Sequence, residues 1–163
     1  MTQTMTVSEV IEGDTVSVVV RVNRSRTQLE ALKATGCRQF TSREVVDSMP
    51  KVDEGSDEVK VIFFSPEPWE YTCSEFMSDE DLEKAFNRRR LKAADWQSVS
   101  AVNEDDPTFE VPHLTHWKDE NGWCFIAFDL RRGGRRKVYV GHSSGYNNSW
   151  WFAGVLVVPG LES

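Results

Sequence analysis

Hydrophobic and polar positions follow two periods along this chain, and the switches between them mark its elements. Residues 15–22, Thr-Val-Ser-Val-Val-Val-Arg-Val, are β-branched and predict a strand. Glu58-Val-Lys-Val-Ile-Phe-Phe64 predicts another, and Pro66 and Pro68 behind it argue against a central place in a sheet. Between them the spacing turns helical. Thr27-Gln-Leu-Glu30 has capping-box spacing and opens a short helix through Leu29, Leu32 and Lys33, with Gly36 as its stop. Thr41-Ser-Arg-Glu44 repeats the box, Val45, Val46 and Met49 give an apolar edge, and Pro50 ends the helix. Ser78 caps a third helix, with Asp79, Glu80 and Asp81 in the first turn and Leu82, Ala85 and Phe86 along the buried edge. Arg88-Arg-Arg90 falls in its last turn, where the helix dipole favours cations. Asp95 caps a fourth helix carrying Trp96, Val99 and Val102, which ends at Glu104-Asp-Asp-Pro107.

From His116 to Val158 the period falls to two. Strands are predicted around Trp117, over residues 123–130, over 137–140 and over 150–158. Asn121-Gly122 and Gly133-Gly134 read as two-residue hairpin turns. The pattern predicts an α+β fold, a single domain over residues 1–163, with a mainly antiparallel sheet, a C-terminal strand meander and about four short helices. Residues 1–13 read as a mobile lead-in.

Alternation then sorts side chains onto two faces. With both hairpins closed by two residues, Thr115, Trp117, Cys124, Ile126, Phe128, Leu130 and Tyr139 share an apolar face that meets the helices. Leu114, His116, Lys118, Trp123, Phe125, Ala127, Asp129, Arg136, Val138, Val140 and His142 share a mixed one. A mixed face with convergent polar groups is where a ligand is expected, so His116, Lys118, Phe125, Asp129 and His142 are the candidate ligand-binding residues. His116, Asp129 and His142 also support an enzymatic alternative of unassigned reaction.

Composition narrows the classes. A formal net charge of −7 repels a phosphate backbone and argues against nucleic acid as partner. The two helices before Pro50 invite a helix-turn-helix reading, but the second opens on Arg43 beside Glu44 and Asp47, a poor start for reading bases. Three widely spaced cysteines, Cys37, Cys73 and Cys124, suggest neither a disulfide framework nor a zinc ribbon, and fit reduced thiols in a cytoplasm. The N-terminus lacks the basic and apolar regions of a signal peptide, and no apolar run reaches membrane-spanning length.

The remaining chemistry is weighed by geometry. His113-x-x-His116, His142 and Cys124 tempt a zinc assignment, yet the two nearer histidines point to opposite faces of a strand, and parity turns Cys124 from both His116 and His142. No metal and no cofactor is therefore expected, and a Cys–His nucleophile fails on the same parity. Arg131, Arg132, Arg135 and Arg136 crowd one hairpin tip of an acidic chain, making it the candidate contact for an acidic partner. A charged tip that merely deters edge pairing is the plainer reading.

The succession Val20-Arg-Val, Ala31-Leu-Lys-Ala-Thr-Gly36, Glu44-Val-Val-Asp-Ser-Met-Pro50, Ser78-Asp-Glu-Asp-Leu-Glu83, Ala101-Val-Asn-Glu-Asp-Asp-Pro107, Thr115-His-Trp117 and Ser149-Trp-Trp-Phe-Ala-Gly154 resembles a group of small uncharacterised bacterial proteins. The resemblance implies one domain over the whole length and carries no activity or catalytic residue. The expected protein is thus a cytoplasmic, non-catalytic binding or regulatory one. It would meet a protein or a small ligand on the mixed sheet face or at the arginine hairpin tip.

Overall fold

In the computed structural model, residues 6–7, 15–52, 57–129 and 135–157 are described. In chain order the elements are β1 (Thr6–Val7), β2 (Thr15–Arg21), α1 (Gln28–Ala34), β3 (Arg38–Thr41), α2 (Arg43–Ser48) and β4 (Glu58–Phe64). A 3-10 turn, Pro68–Glu70, precedes β5 (Phe76–Met77), α3 (Asp79–Arg88), β6 (Leu91–Ala93) and α4 (Trp96–Asp105). Then come β7 (His113–Asp119), β8 (Gly122–Asp129), β9 (Lys137–His142), β10 (Tyr146–Asn147) and β11 (Trp151–Leu156).

The helices start where their caps dictate. Thr27 accepts from the Glu30 amide while Glu30 reaches back to the Thr27 amide, a complete capping box, and Gly36 follows the helix with φ of 73°. Ser42, rather than Thr41, caps α2, because Thr41 is still paired in β3. Strand β3 stands between α1 and α2, so the two helices form no helix-turn-helix. Ser78 and Asp95 cap α3 and α4 as their sequence predicts.

Nine of the described strands form one sheet in the order β1-β2-β4-β11-β7-β8-β9-β3, with β6 also on β11. The class is α+β, but the sheet is mixed rather than mainly antiparallel. Strand β11 leaves the meander and returns beside β7 in parallel, and β3 runs parallel to β9. The prolines do not demote β4, which is central between β2 and β11, because they lie beyond Phe64 and remove no ladder donor. Thr6 and Val7 pair with Val18 and Ser17, so part of the expected lead-in is a strand; the rest of residues 1–13 lies outside the described residues.

The meander β7-β8-β9 forms as predicted, with a shifted first turn; the predicted Gly133-Gly134 turn lies outside the described residues. Asp119 faces Gly122, so Glu120-Asn121 is the connection, two residues back in register and unchanged in parity. In the second hairpin Asp129 faces Lys137 and Phe128 faces Val138, one residue off the two-residue expectation. That single step inverts β9. Val138, Val140 and His142 lie on the face of Ile126 and Phe128, while Tyr139 joins Phe125 and Ala127. Among the described residues the predicted faces hold for β7 and β8 and are reversed for β9; Leu130 lies outside the described residues.

Both faces are covered. On one, Val18, Val20, Val61, Phe63, Ile126, Phe128, Val138 and Val140 pack with Leu32 of α1, Val45 and Val46 of α2, and Trp96, Val99 and Val102 of α4. On the other, Ile62, Phe64, Leu114, Ala127 and Phe152 pack under Leu82, Ala85 and Phe86 of α3. Helix α3 reaches only part of this second face. Over β8 and β9 it is bordered instead by the segment after β9, and there a pocket remains.

Candidate functional site

The pocket has a volume of about 400 Å³. Leu114 and Ala127 form its floor, Phe125, Tyr139, Tyr146 and Trp150 its aromatic walls, and Asp129 and Ser144 its polar positions, while His142 borders it from β9 with its imidazole turned to the Cys124 face. Sheet parity supplies the floor, and two turns supply the roof. Gly145 adopts φ of 99°, and a Cβ there would run into the ring of Phe76, so only glycine lets the segment press against β5. Tyr146 then pairs with Met77, and its ring meets Phe125 edge-on at 6.1 Å.

Behind Tyr146 lies a buried charge cluster. Asp79, the first residue of α3, is 5% exposed, and His116 of β7 is 2% exposed. The His116 Nδ1–H donates to Asp79 Oδ1 and its Nε2–H to Glu83 Oε2, each at 2.7 Å. Asp79 also accepts the Tyr146 hydroxyl on Oδ1 and the Ser143 hydroxyl on Oδ2, both at 2.6 Å. Trp123 stacks on the imidazole with centroids 4.2 Å apart, and its indole N–H donates to Glu80. Lys118 lies over the Trp123 ring in turn.

Electrostatics follow from these bonds. Burial alone would push the Asp79 carboxyl up, but the bonds from His116, Ser143 and Tyr146 outweigh it and hold the carboxyl below its ordinary value. For His116, burial would lower the value, but Asp79 and Glu83 together raise it, so the fold favours the imidazolium. Burial, then the adjacent Asp79, keeps the Tyr146 phenol protonated far above its usual range.

The predicted ligand residues therefore separate. Phe125 and Asp129 face the pocket, whereas His142 borders it with its imidazole on the opposite face beside Cys124. His116 stands behind it, both nitrogens committed to carboxylates other than Asp129, and Lys118 is exposed on the Trp123 side. Tyr139, Tyr146 and Trp150 were not anticipated as pocket walls. The inverted β9 hid Tyr139, and no local pattern marks the other two. Asp79 and Glu83 had a legible signal: an i, i+4 carboxylate pair on one face of a capped helix.

Parity also misplaced Cys124. It shares a face with His142, whose Nδ1 is 3.8 Å from its sulfur, and Asp119 is 3.6 Å away on another side. The thiol is fully buried, and burial together with Asp119 pushes it up to about 11, the reverse of what a nucleophile needs. Among the described residues no group of His, Cys, Asp and Glu side chains is arranged to hold a metal ion.

The arginine tip divides as well. Arg131 and Arg132 lie outside the described residues, and Arg135 is exposed, donating to the Gly36 carbonyl at 3.0 Å. Arg136 is no contact residue. It is 7% exposed and donates to Asn103 Oδ1 and to the carbonyls of Pro107 and Phe109. The register that turned Val138 inward turns Arg136 inward too, where it ties down the chain that follows α4. Asn103 passes the network on to His113 Nε2, and His113 donates from Nδ1 to the Val111 carbonyl. Burial pushes His113 down to about 3, so it is neutral.

Neither a protein-family model, nor a curated protein, nor a solved structure matches the chain. No helix among the described residues is long and apolar enough to cross a membrane.

Proposed function

We propose that the chain is a non-catalytic binding protein that holds a small, largely aromatic molecule in the pocket between Phe125, Tyr139, Tyr146 and Trp150. The observation that carries this reading is the pocket itself: about 400 Å³, aromatic on its walls, with polar groups confined to a few positions. Small-molecule sites have this make-up and a size on the order of 300–1,000 Å³. The acid–base groups nearby argue for binding rather than turnover. A nucleophile is activated by a hydrogen bond to a base of matched strength, and the Ser143 and Tyr146 hydroxyls both donate to Asp79, whose depressed carboxyl is a weak proton acceptor. His116 itself has no nitrogen left for a substrate, which weighs against the alternative built on His116, Asp129 and His142. The three cysteines, all free, suit a cytoplasmic setting.

Saturation-transfer NMR against a library of aromatic and heteroaromatic compounds tests the proposal. Hits are expected to perturb the Trp150 indole resonance and to vanish in Trp150→Ala while the sheet signals persist. A library without hits, or hits indifferent to Trp150, would sink it.

A further inference from the structure

The sheet ends on β3, and no described strand pairs with its outer edge. Arg38 donates to the Arg136 carbonyl and Ser42 to the Val140 carbonyl, so in this parallel ladder the even residues face β9. The amides and carbonyls of Gln39 and Thr41 consequently point away from the sheet. Arg38, Gln39 and Phe40 are all exposed, and Phe40 keeps 43% of its surface. Arg38 and Lys137 both set their cations over the Phe40 ring, at 5.3 and 5.5 Å, and Arg135 reaches the same end of the strand through Gly36. An open strand edge thus coincides with a basic, aromatic patch on a chain of net charge −7.

We propose that the outer edge of β3 is a docking site for an extended acidic segment of a partner protein, which adds to the sheet as a further strand. Gln39 and Thr41 supply the backbone ladder, Phe40 supplies the apolar contact on one face, and Arg38, Lys137 and Arg135 supply the charge complement. Basic side chains on an edge deter pairing with a second copy of the same basic edge, and they do not deter an acidic strand. Single-stranded nucleic acid fits less well. It would find one exposed ring instead of a stacking platform, and it has no use for outward-facing amides.

The test is titration of the full-length, isotope-labelled chain with a capped peptide alternating glutamate and threonine. A lysine–threonine peptide and an oligothymidylate serve as comparisons. The expected result is that the acidic peptide alone shifts the Gln39 and Thr41 amides and slows their hydrogen exchange. Gln39→Pro removes an outward donor and leaves the inward ladder whole, so it should weaken binding by roughly tenfold or more. The double variant Arg38→Glu, Lys137→Glu should do the same, and it decides the matter if the proline variant does not fold. The proposal is overturned by an acidic peptide that leaves these amides unmoved, or by variants that bind it normally. Tighter binding of the oligothymidylate would overturn it too, as would sedimentation showing that copies of the chain occupy the edge themselves.

Discussion

His113 and His116 lie three residues apart on β7, both are buried, and the environment gives them opposite charge states. His113 points toward Phe63, Phe109 and Phe128, with only neutral partners and the Arg136 cation nearby, and burial holds it neutral down to about 3. His116 points to the other face, between two carboxylates, and is held charged above its ordinary 6.5. Their contributions to stability run in opposite directions. Below 6.5 the unfolded chain binds the proton that native His113 refuses, so stability falls with falling pH from 6.5 toward about 3. For His116 the native state binds the proton more tightly, so its contribution is complete below 6.5 and is lost as pH rises through the raised native value. Asp79 adds to the acid limb, since its depressed carboxyl contributes above its ordinary 3.8 and loses that as pH falls through the native value. Nitrogen-15 NMR at neutral pH should show His113 as the neutral Nδ1–H tautomer and His116 doubly protonated. A neutral His116 would contradict the assignment. His116→Ala leaves Asp79 buried without its cation and removes the support of Trp123, so a loss of about 3–5 kcal/mol is expected in urea denaturation. A loss under about 1 kcal/mol would mean the cluster is better solvated than its burial implies.

At the scale of elements, one residue of register decides how the meander is read. Phe128 is fully buried against Val138, so Phe128→Ala should cost about 3–5 kcal/mol by denaturant titration. Val138→Thr places a hydroxyl within an apolar core cluster and should cost about 1–3 kcal/mol. If Val138→Thr were neutral, β9 would have the parity expected from a two-residue turn. Gly145→Ala combines a left-handed backbone with a collision at Phe76. A loss of about 1–3 kcal/mol is expected, with Tyr146 displaced from the pocket wall in the NMR spectrum. These positions also mark what the chain discloses about its own structure. Capping residues act within one turn, so Thr27, Ser78 and Asp95 announce their helices without help from the rest of the protein. Strand β4 is legible because its β-branched and aromatic run is self-contained. Strands β3, β5, β6 and β10 are two to four residues long, and only distant partners define them. The pocket was half legible for the same reason: Phe125 and Asp129 follow from alternation on β8. Tyr139 depends on the length of a turn, and Tyr146 and Trp150 on a loop whose path is fixed by Gly145 meeting Phe76. Asp79 and Glu83 were visible as a carboxylate pair, but their histidine lies more than thirty residues on, where only the tertiary fold can bring it.

The whole molecule is a sheet between two unequal covers, and its charges are distributed accordingly. Helices α1, α2 and α4 seal one face, where the polar network of Arg136, Asn103 and His113 has no group that titrates near neutral pH. Helix α3 covers the other face with two electrostatic anchors, one at each end. Its C-terminal end is held by Glu70, which is 4% exposed and receives Arg88 at 3.0 Å and Arg89 at 2.7 Å. Burial would raise the Glu70 carboxyl, but Arg89, the Glu67 amide and Arg88 outweigh it and hold it down. Its N-terminal end is held by Asp79 and Glu83 on His116, and the same bonds fix Ser143 and Tyr146 over the pocket. Arginine stays charged at any pH the fold survives, so alkaline conditions release only the N-terminal anchor. Raising pH through the native value of His116 should therefore loosen one cover and spare the other. Hydrogen exchange, corrected for its intrinsic dependence on pH, is expected to rise first in the early turns of α3 and around residues 143–147. The amides of α1 and α4 and of the central strands β4 and β11 should keep their protection, because they open only with the whole fold. Ligand affinity at the pocket should fall over the same range, since Tyr146 is one of its walls. Uniform loss of protection across both covers would show that the two faces open as one unit, and that the His116 cluster supports the whole sheet rather than the site beside it.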